Sequence, residues 1–286
     1  MAGDLRVLDA GQVARYERDG FLVLPALVDD GWLTRLRAVT EEMVEASRVA
    51  VSGARDLRFD LEPDHTGAVP RLRRLNSPAD QHETYWEFER DSVIVDVVCD
   101  LLGPDVKFHH SKLNFKEAHG GEEVRWHQDI QFWPHTNYSP LTVGVFLEDV
   151  VAGMGEVGFV PGSQDGDLFD QYDGDRWVGA IAEPDLARVA LETAVFPTGP
   201  AGTVTVHSCR TVHGSALNHS DRRRPLLLQT YTAADAFAYT PIVRASAHGE
   251  EVIRGVPARW ARHDPRPCQV GPGAYRSIFQ VQQDAR

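Results

Sequence analysis

The chain has 286 residues, of which 42% are hydrophobic and 25% charged, a composition typical of a soluble globular protein that can bury a sizeable core. Its formal net charge of −13 argues against nucleic acid or an anionic membrane surface as the main partner, because both select basic surfaces. The three cysteines are widely spaced and do not form the pattern of a disulfide framework.

The N-terminus, MAGDLRVLDAGQ, lacks the basic and apolar regions of a secretory signal peptide. No stretch of the sequence reaches the roughly 18 apolar residues of a transmembrane helix. We therefore expect a cytoplasmic protein with reduced thiols.

Segment 1–104 is predicted to be mainly helical. Asp9 can cap a first helix that Gly20 ends, and the apolar run FLVLPAL that follows is a candidate strand. Apolar residues recur at helical spacing in DDGWLTRLRAVTEEMVEASRVA, and DSVIVDVVCDLLGPD predicts another helix that Gly103 ends. Residues 52–80, rich in Gly, Pro, Asp and Arg, are predicted to form a long loop.

In the part that follows, short β-type runs alternate with turn residues: VKFHHSKLNFK, VRWHQDIQFW, LTVGVFLEDV, EVGFVPGS, ALETAVF, GTVTVHS and RPLLLQTYTA. This alternation indicates an antiparallel sandwich or barrel. The acidic, Gly-rich stretch 162–182 is predicted to be a loop, with a short helix after it in EPDLARVA, and the tail 241–286 to be irregular. We expect a single domain over 1–286, with 105–240 as its β core and the helices of 1–104 packed outside.

The run VRWHQDIQFWPHTN holds a histidine and an aspartate two positions apart. In a strand over 124–133, His127 and Asp129 would point to one face, as two-thirds of the 2-His-1-carboxylate set that binds non-haem Fe(II). About two His-x-Asp/Glu patterns are expected by chance at this composition, and three occur. The patterns that begin at His219 and His248 lie in hydrophilic stretches, so the first is the better candidate for the wall of a dry cavity.

A third ligand is available in GTVTVHSCRTVHGSALNHSDRRRP, which offers His207, His213 and His219. His213 precedes a glycine, which allows close backbone approach. Eleven positions later, Arg224 opens the run RPLLLQTY. An arginine on a barrel wall would need an anionic partner, and its planar guanidinium matches a carboxylate; the alternative is a solvated basic turn.

Three stretches in this order, WHQDIQFWPHTN, GEVGFVPGSQ and AGTVTVHSCRTVHGSALNHSDRRRPLLLQTY, resemble the phytanoyl-CoA dioxygenase family of Fe(II)/2-oxoglutarate oxygenases. YERDGFLVLPALV resembles the opening segment of the same family. The resemblance implies a mainly β fold with flanking α-helices, a cupin-like double-stranded β-helix (jelly roll) whose two sheets enclose the iron.

The resemblance also implies the roles of single residues: His127, Asp129 and His213 as iron ligands, Arg224 on the distal carboxylate of 2-oxoglutarate, Ser215 supporting it, and Asn114 contacting the cosubstrate. It implies an enzyme that uses Fe(II), 2-oxoglutarate and O₂, releases succinate and CO₂, and hydroxylates or otherwise oxidises a C–H bond of a small molecule. Such chemistry suits natural-product tailoring. Related halogenases have a small residue where this chain has Asp129, so the carboxylate argues for hydroxylation or desaturation and against halogenation.

Candidate substrate contacts are Gln131, Phe132, Trp133 and Arg210. The two aromatic residues could wall an apolar pocket, although strand aromatics belong more often to the core. Arg210 could meet an anionic substrate or pair with a carboxylate of the protein. The basic segment 71–78 could form part of a lid, and the acidic loop after PGS could favour a cationic substrate or be solvated.

Two other classes of protein stay open at this point: a cupin-type metal dioxygenase that needs no cosubstrate, and a jelly-roll binding protein without activity. Cupins generally bring more histidines to the metal and do not require an arginine at the position of Arg224. A binding protein would have lost a ligand or that arginine, and the sequence retains all of them.

Overall fold

The computed structural model describes residues 5–50, 58–241, 246–272 and 277–285. The helices are α1 Ala10–Asp19, α2 Asp30–Ala46, α3 Pro78–Gln81, α4 Glu83–Asp91, α5 Val93–Leu102, α6 Glu183–Leu186 and α7 Ile278–Asp284. The strands are β1 Phe21–Leu24, β2 Phe59–Leu61, β3 Leu72–Asn76, β4 Val106–Lys116, β5 Val124–His127, β6 Leu141–Phe146, β7 Val157–Phe159, β8 Tyr172–Asp173, β9 Arg176–Trp177, β10 Val204–Ser208, β11 His213–Ser215, β12 Arg224–Ala233 and β13 Val252–Arg254. Short 3-10 turns span Ser47–Val49, Asp129–Gln131, Ser163–Asp165 and Leu191–Thr193.

Two antiparallel sheets face each other. The large sheet has the order β1-β10-β6-β12-β4-β3-β2, with β13 paired to one end of β4, and the small sheet has the order β5-β11-β7. Strands β8 and β9 form a separate hairpin. The predicted jelly roll, mainly β with flanking helices, is confirmed.

Strand β4 shows how the sequence assigns the two faces of the large sheet. Leu113 and its cross-strand partner Leu227 are fully buried in a cluster with apolar residues of α2, α4 and α5. The alternate residues Lys112, Asn114 and Lys116 point to the other face, because side chains along a strand alternate between its faces. The helices therefore cover one face of the large sheet, while the opposite face carries polar groups toward the small sheet.

The predicted helix boundaries are confirmed at three points. The Asp9 side chain accepts a 2.7 Å hydrogen bond from the backbone N–H of Gln12 at the start of α1. Gly20 ends that helix with φ of 78°. Gly103 ends α5, also at a positive φ of 97°.

The prediction of a long loop over 52–80 is wrong for the part that the structure describes, since β2, β3 and α3 lie there; residues 51–57 are outside the described residues. Strand β3 pairs with β4, and the side chains of Arg73 and Glu62 form a buried ion pair of 3.2 Å beside it. Pairing to an existing sheet edge and this buried ion pair offset the weak strand propensity of the local sequence.

Three further segments depart from the sequence-based predictions. The tail predicted as irregular contains β13 and α7, and ALETAVF forms a 3-10 turn with a single bridge of Val195 to Phe159 instead of a strand. The loop 162–182 includes the β8–β9 hairpin, while the helix expected after it is present as α6. Within the described residues, no helix combines the length and the apolar character needed to cross a membrane.

Truncation of Leu113 tests the packing of the large sheet. Leu113→Ala should lower the free energy of unfolding by about 2–5 kcal/mol, because it leaves a cavity between the sheet and the helices. The measurement is the unfolding transition in urea, monitored by circular dichroism. The control is Leu217→Ala, at a leucine that is 44% exposed, which should change stability by no more than about 0.5 kcal/mol. Equal effects of the two changes would contradict the described core.

Candidate active site

The pairing of β5 with β11 places two histidines side by side. His127 and His213 are register partners, and their ring centroids lie 4.1 Å apart. The Nδ1 atom of His127 is 2.9 Å from the Arg125 carbonyl oxygen, and that of His213 is 2.9 Å from the Thr211 carbonyl oxygen. A carbonyl oxygen can only accept, so each Nδ1 carries a proton, which leaves Nε2 as the ring atom that can bind a metal ion.

Asp129 lies on a 3-10 turn and not on a strand. The prediction that 124–133 is one strand is wrong, because β5 ends at His127 and the chain turns. Buried amides hold this turn: Gln128 Nε2 donates to the Arg210 carbonyl oxygen at 2.8 Å, and Gln171 Nε2 donates to the Gln128 carbonyl oxygen at 2.8 Å. Asp129 therefore reaches the histidines from a turn that distant parts of the chain anchor.

The three side chains form a compact buried triad. Asp129 Oδ1 lies 3.6 Å from Nε2 of His127 and 3.8 Å from Nε2 of His213. One ligand atom from each residue lies within 4.8 Å of the others. Two imidazoles and one carboxylate that converge on one point make up the facial donor set of non-haem Fe(II) sites.

The second oxygen of Asp129 has its own partners. Thr142 Oγ1 donates to Oδ2 at 3.2 Å, and His207 Nε2 lies 3.4 Å from the same oxygen. His207, one of the three candidates for the third ligand, thus contacts the carboxylate from behind, while His213 completes the triad. His219, the remaining candidate, is exposed and lies away from the site.

The electrostatics of the triad favour metal-binding protonation states. Burial acts to raise the pKa of Asp129, whereas nearby His213 and Lys112 act to lower it. The neighbouring rings of His127 and His207 lower it further, and the pKa lies well below its usual range. Burial lowers the pKa of His213 well below its usual range. A carboxylate and a neutral imidazole are the forms that bind a metal ion.

Arg224 lies in the same pocket, at the start of β12. It is 3% exposed, so it is not part of a solvated turn. Its Nη2 donates to the Gly155 carbonyl oxygen at 2.5 Å, while its buried Nε and Nη1 have no hydrogen-bond partner among the described residues. Burial lowers the pKa of Arg224 to about 10, which still leaves it cationic at neutral pH. A buried cation with two donor nitrogens that lack a partner among the described residues can bind an anion.

Both sheets contribute to the pocket around the triad. Ser215 and Asn114, the other predicted cosubstrate contacts, line it together with Arg224. Sequence reasoning missed further lining residues: Arg74, Lys112, Lys116, Thr142, Ile278 and Phe279. Alternation along β4 could have identified the two lysines, which share a face with Asn114. Arg74, in the segment expected as part of a lid, is on β3, and no local pattern indicated Ile278 and Phe279 of α7.

The four predicted substrate contacts do not line this pocket within the described residues. Gln131 is fully buried and donates to the Phe169 carbonyl oxygen at 2.7 Å, and Phe132 and Trp133 belong to an apolar cluster with α7. Arg210 donates to the Gly166 carbonyl oxygen at 2.6 Å. Their part in substrate binding stays a prediction.

A profile of the phytanoyl-CoA dioxygenase (PhyH) family matches residues 16–226, which is well over half of the chain. The chain belongs to the phytanoyl-CoA dioxygenase family. The matched region contains the triad and Arg224, so the family motifs and the geometry identify the same pocket.

Three proteins with enzyme names or known crystal structures are similar to this chain. A probable alpha-ketoglutarate-dependent hypophosphite dioxygenase from Stutzerimonas stutzeri is 34% identical over 73% of this chain and 72% of that protein. An L-proline trans-4-hydroxylase from Streptomyces griseoviridis is 31% identical over 76% of this chain and 84% of that protein. The crystal structure of EctD from S. alaskensis with 2-oxoglutarate and 5-hydroxyectoine matches with a TM-score of 0.67 and 25% identity, over 93% of this chain and 89% of that one.

Membership of the phytanoyl-CoA dioxygenase family makes the chain a non-haem Fe(II)/2-oxoglutarate-dependent dioxygenase. The predicted enzyme class and its cofactors, Fe(II), 2-oxoglutarate and O₂, are confirmed. The readings as a cosubstrate-independent cupin dioxygenase or as a binding protein without activity are not supported.

Gly214 tests how closely β11 must approach β5. A Cβ atom there would lie 2.9 Å from the Val124 carbonyl oxygen and 3.2 Å from the Trp126 amide nitrogen. Gly214→Ala should therefore displace His213 and weaken Co(II) binding by about tenfold or more, measured by anaerobic titration. The control is Gly166→Ala, where the nearest atom to a new Cβ is 3.4 Å away. Unchanged Co(II) affinity in Gly214→Ala would contradict this account.

Proposed function

We propose that His127, Asp129 and His213 hold Fe(II), that Arg224 anchors 2-oxoglutarate beside it, and that the enzyme hydroxylates a C–H bond of a small molecule. The observation that carries this proposal is the combination in one pocket of the convergent triad with a buried arginine, two of whose donor nitrogens have no partner among the described residues. The donor set suits Fe(II), and the arginine suits a carboxylate.

The walls near Arg224 support the cosubstrate assignment. Ser215 lies two residues after His213 on β11 and thus on the same face of the strand. Asn114 Oδ1 accepts a 2.9 Å hydrogen bond from Arg74 Nε, which orients the amide. The hydroxyl of Ser215 on the small sheet, together with the amide of Asn114 and the guanidinium of Arg224 on the large sheet, can bind the oxygens of the distal carboxylate of 2-oxoglutarate.

When bound, Fe(II) with 2-oxoglutarate and O₂ supplies the oxidising chemistry, with succinate and CO₂ as co-products. The protein positions the bound molecules and excludes water from the site. Leu226, Leu228 and Phe279 line the pocket with apolar surface that keeps water from the reacting bond. Asp129 provides a third protein ligand, which favours hydroxylation or desaturation over halogenation.

The names of the relatives support a small polar substrate. One is named for hypophosphite and one for L-proline, and the EctD structure holds 5-hydroxyectoine. We propose that this enzyme likewise acts on a small polar molecule. A screen of such compounds for substrate-dependent succinate release tests this point, and a response only to large or purely apolar compounds would contradict it.

Loss of a ligand histidine should abolish the metal site. Anaerobic addition of Fe(II) and 2-oxoglutarate to the wild-type protein should produce the weak visible charge-transfer band of their chelate, and His127→Ala should not show it. The control is His219→Ala, at an exposed histidine that also begins a His-x-Asp pattern. The ligand assignment fails if His127→Ala retains the band, or if folded wild-type protein with bound iron never shows it.

Loss of Arg224 should separate cosubstrate binding from metal binding. Arg224→Gln removes the charge that meets the distal carboxylate, so the dissociation constant for 2-oxoglutarate should rise about 10- to 100-fold while Fe(II) affinity is kept. Titration of the charge-transfer band and of Fe(II) alone measures the two effects. Arg222→Gln, at an exposed arginine of the same run, is the matched control. Equal affinity of both variants for 2-oxoglutarate would reject the anchor.

A further inference from the structure

Lys112 is a cation on the pocket wall that neither the iron site nor the cosubstrate site uses. It lies in the middle of β4, on the face of Asn114, and it is partly accessible from the pocket. No hydrogen bond or ion pair joins its ammonium to another residue in the part of the chain that the structure describes. The other two lysines of β4 differ: Lys107 contacts Glu250 and the Ala236 carbonyl oxygen, and Lys116 contacts the Glu122 carbonyl oxygen.

Strand register separates Lys112 from the Arg224 end of the pocket. Arg224 of β12 is paired with Lys116 of β4. Lys112, four residues before Lys116 on β4, is paired with Leu228. At roughly 3.4 Å per residue the two positions are about 14 Å apart along the strand. The charges that act on Lys112 are those of Asp129 and Arg74, whereas the charge that acts on Arg224 is that of Glu156. Lys112 therefore belongs to the triad end of the pocket.

The charge balance of the loaded site leaves Lys112 without a counter-ion. In the proposed complex, the charges of Fe(II) and Arg224 are balanced by Asp129 and the two carboxylates of 2-oxoglutarate. Asp129 is then committed to the metal, and its second oxygen already faces Thr142 and His207. A desolvated ammonium beside a neutral complex is costly unless an anion reaches it.

We propose that Lys112 binds an oxyanion of the primary substrate, a carboxylate or a phosphorus oxyanion, and so places the neighbouring bond at the triad. This inference rests on the proposed function, because it assumes that the metal and 2-oxoglutarate fill the rest of the pocket. A small substrate that carries such a group would be held on β4, across the pocket from the histidines of β5 and β11. Lys112 would then determine which class of small molecule the enzyme accepts.

The test is a binding measurement on the anaerobic Fe(II)–2-oxoglutarate complex of the full chain. The probes are hypophosphite, inorganic phosphate, acetate and L-proline, with acetamide as the uncharged counterpart of acetate. At least one oxyanion should perturb the charge-transfer band saturably, and acetamide should not. Comparison of the carboxylates with the phosphorus oxyanions shows which of the two sources of negative charge the site accepts.

Variants of Lys112 connect that binding to the residue. Lys112→Met should raise the dissociation constant of the bound oxyanion about tenfold or more, whereas Lys112→Arg should largely retain it. Both should keep the wild-type affinity for 2-oxoglutarate. Arg15→Met, which removes an exposed positive charge from α1, is the control for net charge. Thermal unfolding of each variant shows whether it is folded.

Each contrary result has a distinct meaning. If no oxyanion binds, or if Lys112→Met binds it as tightly as the wild type, the inference is wrong. If Lys112→Met instead weakens 2-oxoglutarate, the residue serves the cosubstrate and the inference is also wrong. If the wild-type protein forms no Fe(II)–2-oxoglutarate band, the proposed function itself fails, and with it the premise of this inference.

Discussion

The register between β5 and β11 is the constraint on which the rest of the site depends. It sets His127 opposite His213, and a slip of one residue would turn one of the rings to the other face of the small sheet. Each ring is oriented in the same way, by a hydrogen bond from Nδ1 to the carbonyl oxygen two residues earlier in the chain. One strand pair thus determines the separation, the tautomer and the direction of both imidazoles.

The large sheet provides the main apolar core and most of the positive charge of the pocket. Its helix-covered face provides the main apolar core, and its opposite face carries cations into the pocket, among them Lys112, Lys116 and Arg224. Burial of these charges costs free energy. The two carboxylates of the cosubstrate offset part of this cost, and the oxyanion proposed for Lys112 would offset more. The same feature that makes the pocket unfavourable when empty makes it selective for anions.

Sequence patterns identified the triad and Arg224 because short motifs at constant spacing, HxD and HGS with an arginine eleven residues later, were sufficient for both. These patterns did not show which backbone conformation directs the Asp129 carboxylate toward the two histidines. The strand predicted over 124–133 would have placed it by alternation, whereas a turn held by Gln128 and Gln171 places it. Those amides bond to backbone groups far away in the chain, and a local pattern does not carry such contacts.

By itself the sequence determined the mainly β fold, the helices of the first hundred residues, the family and the candidate ligands, since periodicity, helix caps and motif spacing are local properties of the chain. Only the tertiary structure decided that β3 and α7 contribute side chains to the pocket and that His207 contacts Asp129 on the side away from the other two histidines. It also decided that Lys112 faces the triad. These facts depend on strand pairing and burial between segments that are distant in the chain. Such contacts form only in the folded protein, so a local sequence pattern does not reveal them.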